Sequence, residues 1–192
     1  FVNPLIGIDG LRLLQEGRSA QDALDFVVQA DPGADLRQAH VMDRDGNIAA
    51  FTGDACVPWA GSVKGKQISV AGNMLANENV IADTLASYLK NSHLDFDDRL
   101  LTALEAGQQA GGDKRGKQSA ALRIWDEDVF PAIDIRVDDH ADPLAEMRRL
   151  WRVAHQRYVP FQMCSPTRAN PGGVRDREEL DRICATYAQT WN

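Results

Sequence analysis

Three cysteines in 192 residues, Cys56, Cys164 and Cys184, stand far apart, and no Cys-x-x-Cys pair or histidine cluster accompanies them. A disulfide framework and a zinc site are both disfavoured by that spacing. A reducing, cytoplasmic compartment fits it best. Basic charge is also short. Twenty-one Lys and Arg face 28 Asp and Glu, a net charge of -7, whereas a nucleic-acid binder needs a basic surface to displace counterions from phosphates. No apolar run reaches the roughly 18 residues that span a bilayer, and no basic-then-apolar leader precedes a small-residue cleavage site. The expectation is a soluble protein without nucleic-acid or membrane partners. Gly-x-Ser-x-Gly, Walker and Rossmann glycine patterns are missing as well, which disfavours a serine elbow and nucleotide chemistry. No cofactor or metal is called for.

What is present is a core-forming composition, 44% hydrophobic, enough for one globular domain with an appendage. Ile8, Leu11 and Leu14 recur at helical spacing up to Gly17. Ser19, with Asp22 three residues on, caps a second helix whose apolar face is Ala23, Leu24, Val27 and Val28. The period then shortens. His40–Asp43 and Ile48–Phe51 flank Arg44-Asp45-Gly46-Asn47 and predict a hairpin. Residues 58–66 read as an irregular loop, and a third strand is predicted over 68–74.

Asn77 and Asp95 are expected to cap two amphipathic helices. Residues 119–125 and 133–137 predict two more strands, and Asp142-Pro143 opens a helix with proline at its first position, where the missing N–H is harmless. His155 is expected on that helix's polar side. Residues 159–192 read as a polar, proline- and glycine-rich arm with a short helix around Leu180–Tyr187. The grouped order of helices and strands predicts an α+β fold with helices outside two packed antiparallel sheets. Sheet edges left open by such a fold predict a homo-oligomer.

Several segments carry candidate chemistry. Gly72-Asn73 at a strand end offers a backbone N–H and a side-chain amide to a developing oxyanion; the competing reading is a turn, with glycine at positive φ and asparagine bonding its own backbone. Asp113 and Arg115, set among Gly111, Gly112 and Gly116, could clamp a substrate carboxylate or amine, with Gln118 and Ser119 lining the same cleft. The alternative is a helix C-cap and a surface ion pair. Thr52 and Trp59 could wall a pocket, or Trp59 could simply pack its loop down. Asp138-Asp139-His140 reads as a solvated strand end before the Asp142 cap. Cys56 sits in no nucleophile pattern.

Taken together, Asn3-Pro4, Asp31-Pro32, Ala49-Ala-Phe-Thr-Gly53, Trp59-Ala-Gly61, Gly72-Asn-Met-Leu75, Arg99-Leu-Leu101, Gly111-Gly-Asp113 through Leu122 and Arg136-Val-Asp-Asp-His140 resemble the family catalogued as domain of unknown function 1028, classed with the N-terminal-nucleophile hydrolases. The resemblance covers most of residues 3–158, and residues 1–158 are taken as the domain; it implies a four-layer αββα sandwich. It also implies an amide-bond hydrolase acting on a small amide or peptide-like substrate. Members resemble one another in an opening strand segment upstream of Asn-Pro. This sequence begins at Phe1, which lacks the heteroatom that a terminal Ser, Thr or Cys brings to attack. The expectation is a fragment whose nucleophile lies on an upstream segment; a processed subunit and a non-catalytic binding module on the same scaffold are the alternatives.

Overall fold

A computed structural model describes residues 2–191. Phe1, the position that the nucleophile argument turns on, lies outside them. The chain divides between Gly116 and Lys117 into two compact units. Both mix helices with small antiparallel sheets, and among the described residues six strands pair in three hairpins. Among the described residues no helix is long and apolar enough to cross a membrane.

In the first unit, α1 (Pro4–Gln15) begins earlier than the Ile8 periodicity predicts, because the Asn3 side chain accepts the Leu5 N–H and Pro4 takes the first helical turn. The predicted Ser19 cap is present on α2 (Ala20–Gln29), its hydroxyl accepting the Asp22 N–H at 3.1 Å. Such a cap contributes about 1 kcal/mol. Leu13, Ala23, Leu24 and Val27 from these helices pack with Ala49, and Ala39, Val41 and Phe51 lean against the cluster. Full burial of a residue such as Leu24 is worth roughly 1.5–3 kcal/mol. This core therefore binds α1 and α2 to one face of the first hairpin.

That hairpin pairs β1 (Gln38–Met42) with β2 (Ile48–Thr52), Gln38 opposite Thr52 and Met42 opposite Ile48. Its turn is closed by Asp43, whose carboxylate accepts the Asp45 and Asn47 N–H groups at 3.0 Å. Gly46 supplies the φ of 81° that the turn needs. Alternation sends Ala39 and Val41 to the helices and leaves Gln38 and His40 on the opposite face.

Residues 58–66 are not wholly a loop. Gly61–Gly65 forms β3 and pairs with β4 (Ile68–Gly72) across the two-residue turn Lys66-Gln67. Ser62 and Lys64 break the apolar run, and Gly61 and Gly65 hold its two ends, so the strand has almost no hydrophobic signature. The predicted strand over 68–74 ends at Gly72. α3 (Asn79–Lys90) packs on β3 and β4, and α4 (Phe96–Gln109) packs on α3. Asn77 makes the bond expected of it, its Oδ1 accepting the Asn79 N–H at 2.8 Å just before the helical Glu78, whereas the Asp95 side chain makes no capping bond.

In the second unit, β5 (Ala120–Trp125) pairs with β6 (Pro131–Val137), two residues longer than predicted. α5 (Pro143–Val153) starts at the predicted cap, where Asp142 accepts the Ala145 N–H. Met147 and Trp151 are buried. A π-helical segment, Ala154–Tyr158, follows, then the single turn α6 (Val159–Gln162) and α7 (Arg177–Thr190). Against expectation His155 is buried, 5% exposed. It lies four residues after the buried Trp151 and so continues the buried face of α5, and it stacks on Trp191 at 3.8 Å with Nδ1 on the Tyr187 hydroxyl at 2.5 Å.

Candidate functional site

The strand ends of the first unit meet around one side chain that carries no sequence signature. From the start of β1, the Gln38 amide nitrogen donates toward Thr52 Oγ1, the Gly61 carbonyl and the Gly72 carbonyl, each at 3.0 Å. Two N–H protons thus serve three acceptors on β2, β3 and β4. Asn73 completes the cluster, its Nδ2 donating to Gln38 Oε1 at 3.2 Å. Three predicted site residues, Thr52, Gly72 and Asn73, are therefore brought together, and the residue that joins them was not predicted. The only available signal was parity: Gln38 shares the face of β1 opposite the core-facing Ala39 and Val41.

The turn reading of Gly72-Asn73 fails in its particulars. Positive φ falls at Met74, 56°, rather than at Gly72. Gly72 is small because a Cβ there would come within 2.7 Å of the Leu75 side chain. Asn73 bonds Gln38 rather than its own turn, and it is exposed. An amide nitrogen has two protons, so the hold that Gln38 takes on one orients the other.

Along the same face of β1, His40 Nδ1 lies 2.8 Å from Ser69 Oγ of β4. Which of the two donates depends on the ring tautomer. Burial pushes the His40 pKa below its usual value, which favours the neutral ring at neutral pH. A neutral imidazole on a hydroxyl is the pairing from which a base-assisted nucleophile is made.

The glycine loop after α4 is tied to this end of the hairpin by backbone pairing. Met74 N–H donates to the Val57 carbonyl at 3.0 Å, and Trp59 and Leu75 exchange both bonds. On the other side Ala76 N–H donates to the Gly112 carbonyl at 2.9 Å, and Lys114 N–H to the Met74 carbonyl at 2.9 Å. Leu75 and Asp113 form a bridge pair. The left-handed φ of 57° at Gly112 lets α4 end and the chain turn directly into this pairing. Lys114 Nζ then reaches the Pro58 carbonyl at 2.6 Å.

Within that frame Trp59 lies over Gly61, where an added Cβ would meet its ring at 2.6 Å. This is the packing role. Asp113 and Arg115 close on each other: Nη2 to Oδ2 at 2.6 Å, Nε to Oδ1 at 3.0 Å, and the Arg115 backbone N–H to Oδ1 at 2.8 Å. The guanidinium bonds hold the Asp113 carboxyl below its usual pKa. The fork expected to grip a ligand is occupied in this state by its own neighbour. Gln118 and Ser119 belong to the second unit; both are exposed, and the Gln118 carbonyl accepts the His140 N–H at 2.9 Å.

Comparison with known proteins places this geometry. The model of the family of unknown function DUF1028 matches residues 1–147. The crystal structure of a Silicibacter pomeroyi protein assigned to the same family is 31% identical, with a TM-score of 0.82 over 91% of this chain and 78% of the other. No curated protein matches the sequence.

Proposed function

The chain belongs to the family of unknown function DUF1028, and from that premise we propose an amide-bond hydrolase of the N-terminal-nucleophile class, acting on a small amide or peptide-like substrate. The observation that carries the reading is the Gln38 cluster. It fixes the Asn73 amide, by one of its two protons, where four strand ends converge. A donor held before reaction needs no reorganisation when an oxyanion develops. In this class a Ser, Thr or Cys attacks and its own α-amine takes the proton; that nucleophile is assigned to no residue of this sequence.

The fold assignment rests on contacts within the first unit. α2 packs on β1 and β2, α3 packs on β3 and β4, β1 contacts β4, and β2 contacts β3. This succession is what an αββα arrangement of layers requires, and we read it so. The same proposal places Arg115 and Thr52 of the first unit as substrate-positioning groups, with Asp113 holding Arg115 until a ligand replaces it, the protein in the cytoplasm, and its functional form as a homo-oligomer. An exposed apolar stripe on α1, Leu5, Ile8 and Leu11 at 60%, 63% and 63% exposure, supports the last of these.

The test is hydrolysis of a panel of small amides by the natively expressed protein, with intact-mass analysis and N-terminal sequencing of the same sample. Asn73→Ala is expected to lower kcat by about 10²-fold while leaving KM nearly unchanged, the signature of an oxyanion donor. Ser69→Ala is expected to keep activity. An inactive native protein, an Asn73→Ala variant with unchanged kcat, or activity abolished by Ser69→Ala would each overturn the reading, the last by moving the nucleophile to the His40–Ser69 pair.

A further inference from the structure

Two of the three cysteines, distant in sequence, meet in the second unit. Cys164 follows α6 and is buried, 5% exposed. Its backbone is pinned on both sides, the N–H donating to the Phe161 carbonyl at 3.1 Å and the carbonyl accepting the Val174 N–H at 2.9 Å. Its thiol leans on the Pro160 carbonyl at 3.7 Å. Cys184 lies in α7, which packs against α6. Leu180, Ile183, Cys184 and Tyr187 recur at helical spacing and are half-buried, whereas residues 181–182 and 185–186 between them are exposed. Cys184 therefore stands on the inward face of α7, one turn before the Tyr187 hydroxyl that meets His155. The thiols are close enough to act on each other. Burial first, then the adjacent Cys184 thiol and the Glu179 carboxylate of the same helix, push the Cys164 pKa above its usual value.

α7 is weakly fastened along its length. None of its residues is fully buried, and beyond its last turn the chain is held by aromatic contacts, Trp191 stacked on His155 and edge-on to Trp151. A helix held by half-buried contacts opens locally well before its domain unfolds. A bond from Cys184 to Cys164 ties the middle of α7 to a backbone already anchored on α6.

We propose that Cys164 and Cys184 form a reversible disulfide that locks α7 onto the second unit, with a low-molecular-weight disulfide such as oxidised glutathione as the oxidant. Cys184 is the less buried thiol and reacts first. Its thiolate attacks one sulfur of the small disulfide, whose S–S bond breaks and releases one thiolate. The Cys164 thiolate then attacks the Cys184 sulfur of the mixed disulfide and expels the second. The chain gives up two electrons and two protons, and the small disulfide becomes two thiols. In a reducing compartment such a bond is transient, as a redox sensor requires. Both cysteines lie beyond the 1–147 stretch matched by the family model, so the lock does not depend on the amide-hydrolase reading.

For the test, the full chain is equilibrated in glutathione buffers from reducing to oxidising, free thiols are blocked with N-ethylmaleimide, and intact mass with peptide mapping locates the bonds. One intramolecular Cys164–Cys184 bond is expected, opened again by excess reduced glutathione, with Cys56 still blocked by the maleimide. Hydrogen exchange over residues 177–190 should slow by about tenfold or more on oxidation. Cys164→Ser should stop at the mixed disulfide on Cys184. Cys184→Ser should abolish both the bond and the slowing, and Cys56→Ser should change neither. A chain that carries only mixed disulfides in the most oxidising buffer overturns the proposal, as does pairing through Cys56 or exchange over α7 that is equal in the two forms.

Discussion

Asn73 and Gln38, 35 residues apart in sequence, are joined by a side-chain amide pair, Nδ2 to Oε1 at 3.2 Å. The pair works in one direction only. Gln38 spends its nitrogen on Thr52, Gly61 and Gly72, which turns its oxygen toward Asn73. Gln38→Glu would set a carboxylate against the Gly61 and Gly72 carbonyls, which can only accept.

Gln38→Glu should therefore be more destabilising at pH 7 than Gln38→Leu, although it preserves shape better. Gln38→Leu leaves buried acceptors unmet and is expected to lose about 1–3 kcal/mol. Urea unfolding of both variants decides the point. If the glutamate variant is as stable as wild type, the clamp does not exist in solution.

Asp31 predicts how the first unit responds to acid. Its carboxylate accepts from Asn3 Nδ2 at 2.7 Å, Arg37 Nε at 2.9 Å and the Gly33 N–H at 2.9 Å. The bond from Asn3, then those from Arg37 and Gly33, bring its pKa down to about 2 from 3.8. A depressed folded-state pKa stabilises above the unfolded value and is lost as pH falls through the folded one. The stability contribution of Asp31 should thus be complete above about pH 4 and disappear towards pH 2. Asp31→Asn should lower stability at pH 6 and flatten the decline between pH 4 and pH 2, as read by denaturant unfolding at each pH. The family motifs at Asn3 and Asp31 then have a structural explanation, joining the α1 cap to the turn after α2.

Gly53 follows β2 and is buried. Its N–H donates to the Arg37 carbonyl at 2.9 Å, and a Cβ added there would drive into the backbone oxygens of Ala34 and Asp35. Backbone atoms cannot swing aside as a side chain can. Gly53→Ala is expected to destabilise by about 1–3 kcal/mol, the usual scale of overpacking. Gly7→Ala, at a site with open space around it, should have no such effect and raise helix propensity slightly. Thermal unfolding of the two variants separates close packing from a general intolerance of alanine.

Local signals carried the parts of the fold that local chemistry decides. Ser19 and Asp142 cap helices because each has a short acceptor one turn before an apolar face, and the Asp43–Asn47 turn declares itself by composition. β3 was hidden because Gly61, Ser62, Lys64 and Gly65 give it no apolar period; its pairing with β4 is a tertiary fact. His155, four residues after Trp151 and eight after Met147, falls on the apolar face of α5 by helical spacing; its polar ring, weighed alone, suggests the opposite side. The candidate site was half legible. Glycine and asparagine marked its rim, whereas Gln38 looks like any polar residue opening a strand and acquires meaning only when three acceptors arrive from other strands.

Arg115 and Asp113 give the last test, because stability and function separate there. The Arg115 side chain is exposed and that of Asp113 half-buried, and ion pairs of this kind are screened by water and contribute little to stability. Arg115→Ala and Asp113→Ala should both leave the unfolding midpoint close to wild type, with the loop still held by the backbone bonds of Lys114 and Leu75. Their functional effects should differ in kind if the fork opens to a ligand. Arg115→Ala should raise KM for an anionic amide by about tenfold or more, the loss of a bidentate charge-assisted contact, with kcat nearly constant. Asp113→Ala, which frees the guanidinium, should lower KM for the same substrate. Steady-state kinetics on both variants is sufficient: equal KM values in wild type and both variants would confine the pair to the surface role, and opposite shifts would identify Arg115 as the substrate-positioning group and Asp113 as its competitor.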